Sequence, residues 1–129
     1  MKRKNIRLKV IQNDLLEKKR QLIFEGLAKL DHLDSLKIYY QESDKTKVRL
    51  TISEREGFLL RKGEALVQMR FNLDKLEQAK VSTSVGDIYM EVNTLNISLE
   101  NNNLFLYYEL SDSEATVGKF QLEMEWEDE

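Results

Sequence analysis

From residue 35 onward the chain alternates apolar and polar positions with a period of two, the signature of half-buried strands. "SLKIYYQE" puts Leu36, Ile38 and Tyr40 on one face, and "TKVRLTIS" sets Val48, Leu50 and Ile52 against Lys47, Arg49 and Thr51. "GFLLRKGEALVQMRF" predicts a strand, a break at Lys62-Gly63 and a second strand carrying Ala65, Val67, Met69 and Phe71 on one face. "QAKVSTS" aligns Ala79, Val81 and Thr83, and the closing "VGKFQLEMEWE" aligns Phe120, Leu122, Met124 and Trp126 against Lys119, Gln121, Glu123 and Glu125. Turn-forming stretches, "ESDK", "EREG", "SVGD", "ENNN" and "SDSEA", separate the runs.

Residues 1–34 admit two readings. Leu15, Leu22, Leu27 and Leu30 make a ragged helical stripe in a segment rich in Leu, Lys and Glu. With period two, Ile6, Leu8 and Val10 form one strand face and Leu22, Phe24, Gly26, Ala28 and Leu30 another, joined by "QNDLLEKK".

Within "GDIYMEVNTLNISLENNNLFLYYELSD" the buried parity changes sides. Ile88, Met90 and Val92 share one parity; Leu95, Ile97 and Leu99 share the other. A β-bulge near Asn93-Thr94 accounts for the switch, because one inserted residue moves every later side chain to the opposite face and bends the strand. Bent, bulged strands let a sheet curl closed. Many short strands reaching the C-terminus therefore predict an all-β fold, an antiparallel barrel of about eight to ten strands, and tip residues 1–34 toward strands. In a simple barrel the first and last strands are neighbours, which would set Arg7 and Lys9 beside Glu123 and Glu125.

Composition changes this picture in three ways. A length of 129 residues fits one domain, 1–129, large enough to bury a core. The absence of cysteine excludes disulfides, thiolate metal sites and cysteine nucleophiles. A net charge of −3 gives no bulk attraction to nucleic acid or anionic membrane. No run approaches the length of a spanning helix, and the basic start "MKRKNIRLKV" lacks an apolar signal region, so the expected location is cytoplasmic.

The motifs in this frame resemble a known group. Gly86-Asp87-Ile88-Tyr89-Met90-Glu91-Val92 followed by Thr94, then Ile97 and Leu99, then Leu104, Leu106, Tyr108 and Leu110, then Gly118 and Leu122, resemble the uncharacterised YwiB-like family of small bacterial proteins. "LRKGEALVQMRF", with Arg61, Gly63, Met69 and Phe71, and "YYQESDKTKVRLTIS" extend the resemblance over residues 35–126. It implies a calycin-like, that is lipocalin-like, β-barrel and no established activity. True lipocalins carry a Gly-x-Trp signature near the N-terminus, whereas the single tryptophan here is Trp126.

Candidate chemistry is sparse. His32, between Asp31 and Asp34, is the lone histidine and reads as part of a solvated loop. No nucleophile–base pair, phosphate loop or metal-ligand spacing is present, so no catalytic residue, cofactor or metal is expected. Arg61 and Tyr108 are the candidate ligand-binding residues: an interior arginine can hold a carboxylate bidentately, and an interior tyrosine can offer its hydroxyl. Phe105 and Tyr107 lie on the opposite face of the Tyr108 strand. Two functions follow. One is a barrel holding a small apolar or amphipathic ligand; the other is a non-enzymatic module docking a protein partner or a second copy on its outer sheet. An interior plugged by Phe24, Met69, Phe71 and Met90 would exclude the first, and an opening of several hundred Å3 would support it.

Overall fold

Each period-two run forms a strand, both ambiguous N-terminal ones included. The structure, a computed structural model, describes residues 3–129. Ten strands follow in order: β1 (Lys4–Asp14), β2 (Lys19–His32), β3 (Leu36–Ser43), β4 (Thr46–Ile52), β5 (Glu56–Lys62), β6 (Leu66–Asn72), β7 (Glu77–Thr83), β8 (Gly86–Glu100), β9 (Asn103–Ser111) and β10 (Thr116–Asp128). Every strand pairs antiparallel with its chain neighbour, and β1 pairs with β10 to close the barrel. The described residues contain no helix. Closure gives every strand two neighbours. Only short edges remain unpaired, as where β2 parts from β3 and where β8 runs past β9.

The β1–β10 register explains the charged ends. Lys9 stands opposite Glu125 with a 3.9 Å ion pair, and Lys4 meets Asp128 at 2.9 Å. Arg7 faces Glu127, and Glu123 is bound instead by Arg20 at 2.7 Å and by Asn13 Nδ2 at 2.6 Å. The expected adjacency of the first and last strands holds, and so does Lys9 beside Glu125, but Arg7 does not meet Glu123, whose cationic partner comes from β2. Lys2, counted among the basic residues of the start, lies outside the described residues.

The parity switch in β8 is a bulge. Thr94 pairs with Tyr108 and Asn96 with Tyr107, so Leu95 is the extra residue, 44% exposed. Ile88, Met90, Val92 and Thr94 share the inward parity before it and Ile97 after it. Leu95 thus leaves the face on which the alternation placed it. The same device removes Leu22 from the inward face of β2: Val10 pairs with Phe24 and Ile11 with Leu22, making Ile23 the inserted residue and turning Leu22 outward. Register shifts also insert Glu42 in β3 and Val117 in β10. Three of these four insertions ring one end of the barrel, hereafter the upper end.

The lower half is packed solid. Ile6, Leu30, Ile38, Ile52, Phe71 and Leu106 point inward from six strands and are almost wholly buried. Gly57 is required among them, because a Cβ there would stand 2.3 Å from Ile52 Cδ1 and 3.0 Å from the Thr51 carbonyl. At the lower rim Asn101 and Asn102, with φ of 49° and 63°, make the two-residue turn between β8 and β9. Asparagine tolerates this left-handed geometry better than most residues, and the turn carries the right-handed strand twist.

Apart from the aromatic Tyr40, Tyr108 and Trp126, Thr94 is the one buried residue with a polar side chain among those described, and its Oγ1 accepts a 3.1 Å hydrogen bond from the Asn72 amide. It bridges β8 to the end of β6, beyond the point where β7 separates them. Thr94→Val keeps the shape but strands that amide. The expected loss is about 1–3 kcal/mol, read as a lower urea midpoint with an unchanged slope.

Candidate functional site

The interior changes character above Tyr108. An open space of about 390 Å3 occupies the upper half of the barrel. Its walls are apolar, with Val10 from β1, Val48 from β4, Leu59 from β5 and Leu122 from β10. Polar groups converge from Gln12, Gln21, Tyr40, Glu42, Arg61 and Tyr108. Tyr108 forms the floor: its ring contacts fully buried Phe71 at 5.1 Å and Phe120 at 5.6 Å between centroids. Phe120 can lie there because Gly118, two residues back on the same face, has no side chain; a Cβ would sit 2.4 Å from the ring.

Arg61 and Glu42 form an ion pair in this space. Arg61 Nε and Nη2 both donate to Glu42 Oε2, at 3.1 and 2.9 Å. The side chains are 40% and 16% exposed, so the arginine reaches the mouth while the carboxylate sits deeper. Glu42 is the residue inserted by the β3 bulge, an example of a bulge re-aiming a side chain beside a site. Glu42 Oε1 and Arg61 Nη1 make no further bond to a described residue.

The mouth is asymmetric. Arg61, Val67, Val81 and Ile88 stand side by side across β5 to β8, all with inward parity. Ile88 is nonetheless 55% exposed, because β8 before Glu91 has no partner in β9. A second opening lies between β2 and β3, whose ladder runs only from His32–Leu36 to Lys29–Tyr39. Above it the two strands diverge, and the rings of Phe24 and Tyr40 meet at 4.8 Å across the gap.

Burial raises the phenol pKa of Tyr40 well above its usual value; the nearby Glu42 carboxylate adds to the shift and Arg61 opposes it. Burial alone raises that of Tyr108. Neither hydroxyl bonds a described residue, yet neither is sealed from solvent-sized space, so both reach the openings. The unfolded chain ionises its tyrosines near pH 10 while these two stay protonated in the fold. Stability is thus retained below about pH 10 and falls above it, by about 1.4 kcal/mol per pH unit for each tyrosine. Phenolate absorbance during alkaline titration should show two tyrosines ionising only together with loss of the fold.

Sequence reasoning singled out Arg61 and Tyr108, and both line this one cavity. It gave no sign of Glu42, Gln12 or Gln21. His32 ends β2 at the opposite, lower end, away from the cavity. No cluster of metal-ligating side chains occurs among the described residues. Phe105 and Tyr107 face outward as expected but are half-buried, with Glu123 and Gln121 of β10 opposite them.

Residues 5–124 match a family described as a domain of unknown function, DUF1934. The chain belongs to that family. A solved structure, the ywiB protein from Bacillus subtilis, is similar over 98% of this chain and 93% of its own length, with 18% sequence identity and a TM-score of 0.78. At that identity the likeness concerns the fold. It agrees with the YwiB-like resemblance carried by residues 35–126 and extends it across the N-terminal strands of this DUF1934 chain. No curated protein matches the chain.

Proposed function

We propose that this DUF1934 barrel binds a small amphipathic molecule in its upper half. The observation that carries this reading is the contrast between a solid lower core and an open upper space of about 390 Å3, within the size range of ligand pockets. An apolar body fits against Val10, Leu59 and Leu122. The polar end meets the Arg61–Glu42 pair and the Tyr108 hydroxyl.

The pair also narrows the ligand. Glu42 occupies the Nε–Nη2 edge of Arg61 and neutralises its charge, leaving only the Nη1–Nη2 edge to a ligand. A carboxylate on that edge would bring a second negative charge beside the largely buried Glu42, with no net positive charge to hold both. An uncharged head that both donates and accepts, such as an amide or hydroxyl, uses the remaining Nη1 and Oε1 without that cost. The half-burial of Phe105 and Tyr107 gives a docking module on that face less to work with.

Native mass spectrometry of gently purified protein tests it. A bound small molecule that leaves on unfolding is the expected result. Leu59→Trp, which fills the space from β5, should abolish the adduct while the barrel stays folded. A bare chain, or an adduct indifferent to Leu59→Trp, would refute the reading.

A further inference from the structure

A second concavity opens on the outer face of the barrel. It is a groove of about 570 Å3 over the place where β2 and β3 part. Its floor is apolar, built from Leu27 and Ala28 of β2, Tyr39 and Tyr40 of β3 and Leu60 of β5. The barrel register then brings cations onto its walls from three strands. Lys29, Tyr39, Arg49 and Leu60 form one row across β2 to β5, and Gln41, Lys47 and Lys62 form the next.

What sets these cations apart is their grouping: four of them without an ion pair line one apolar concavity, whereas Arg7, Lys37 and Lys75, also without one, line none of it. Lys4, Lys9, Arg20, Lys80 and Lys119 each face a carboxylate within 4 Å. Lys29, Lys47, Arg49 and Lys62 have no ion pair with any described residue. Lys47 and Lys62 are moreover direct cross-strand partners, an arrangement of like charges that costs stability in a sheet. Glu129 is the one acid in the lining. Unmatched positive charge around an apolar floor is complementary to an anion with an apolar body.

We infer that this groove is a binding site for a monomeric anionic amphiphile of the long-chain carboxylate class. The headgroup is held between Lys47, Lys62 and Arg49, and the chain lies along Leu27, Tyr39 and Leu60. The groove adjoins the interior cavity at the β2–β3 opening, where both touch Tyr40 and Val48. Its cations stand on the outer face, whereas the interior Arg61 is already neutralised. A docked peptide strand fits less well: the bulges at Ile23 and Glu42 break both facing edges, leaving no straight edge beyond a few residues. A bilayer fits less well too, since the apolar residues floor a concave groove instead of projecting from the surface.

The test uses decanoate, below its micellar concentration, titrated into the 15N-labelled chain. Saturable binding with amide shifts at Leu27, Tyr39, Arg49 and Leu60 is expected. The surface variant Lys47→Glu/Lys62→Glu should lose at least tenfold in affinity, and uncharged decanol should bind at least tenfold more weakly than decanoate. Equal binding by that variant, or equal binding of decanol, overturns the inference. Shifts confined to Val10, Leu59 and Leu122 overturn it as well, while leaving the interior reading intact. Binding that appears only with vesicles of anionic phospholipid, or tighter capture of a glutamate-rich peptide, likewise overturns it.

Discussion

Phe71→Ala should destabilise the barrel by about 3–5 kcal/mol. Phe71 is among the largest fully buried side chains and lies where the solid half meets Tyr108. Surrounding strands are tied into a closed ring and can collapse onto the void only slightly, which places the cost high in that range. For a domain of this size it removes a large share of total stability. Urea unfolding followed by circular dichroism measures it directly. A change below 1 kcal/mol would mean that the lower half is not the rigid core described above. The cavity gives the contrast: Leu59→Ala, at a wall already open, should cost appreciably less.

The second large effect concerns chain length. Deleting Leu95 should leave the barrel folded, because Leu95 is the residue β8 has in excess of β9. Without it, Thr94 and Asn96 become consecutive, Ile97 stays inward, and the ladder becomes regular. Deleting Tyr107 from β9 should instead abolish cooperative folding. It would turn Glu109 into the core and Tyr108 and Leu110 out of it, with pairing disrupted on both sides of the strand. Dispersed amide resonances for the first deletion and collapsed ones for the second are the expected spectra. The reverse order would show that the bulge is mispositioned.

Much of the barrel was legible because a strand declares its buried face with only two options per residue. Val48, Leu50 and Ile52 could be read directly, and so could Leu122, Met124 and Trp126. Even the bulge was visible, displaced by one residue, since Leu95 was counted with the face that Ile97 keeps. Leu22 misled for the same reason: period two persists through an inserted residue on paper, while the real strand turns it outward. Closure was legible through the basic start and acidic end, though alternation alone did not say which charge meets which.

The candidate site was half legible. Arg61 and Tyr108 carried a signal, being a charge and a hydroxyl at inward positions. Glu42 did not, because its orientation depends on a bulge and its partner lies 19 residues away. Whether the interior is filled depends on the volume each side chain occupies where ten strands meet, which no single strand reveals. The groove was invisible for another reason: Lys29, Lys47, Arg49 and Lys62 each look like an ordinary solvated residue. Only the register of β2 to β5 brings them together.

The closure of β1 on β10 has a practical side. Lys4 and Asp128 touch at the lower end, so the two chain ends leave the barrel together, on the side opposite the cavity mouth. Affinity tags or fused reporters attached at either end would leave that mouth clear. They would, however, emerge beside Asn5 and Glu129, which border the outer groove. The same proximity makes the molecule a natural candidate for circular permutation. A short linker joining the ends, with the backbone reopened in the exposed loop after β9, would keep every strand pair and free the groove's border for immobilisation-based assays.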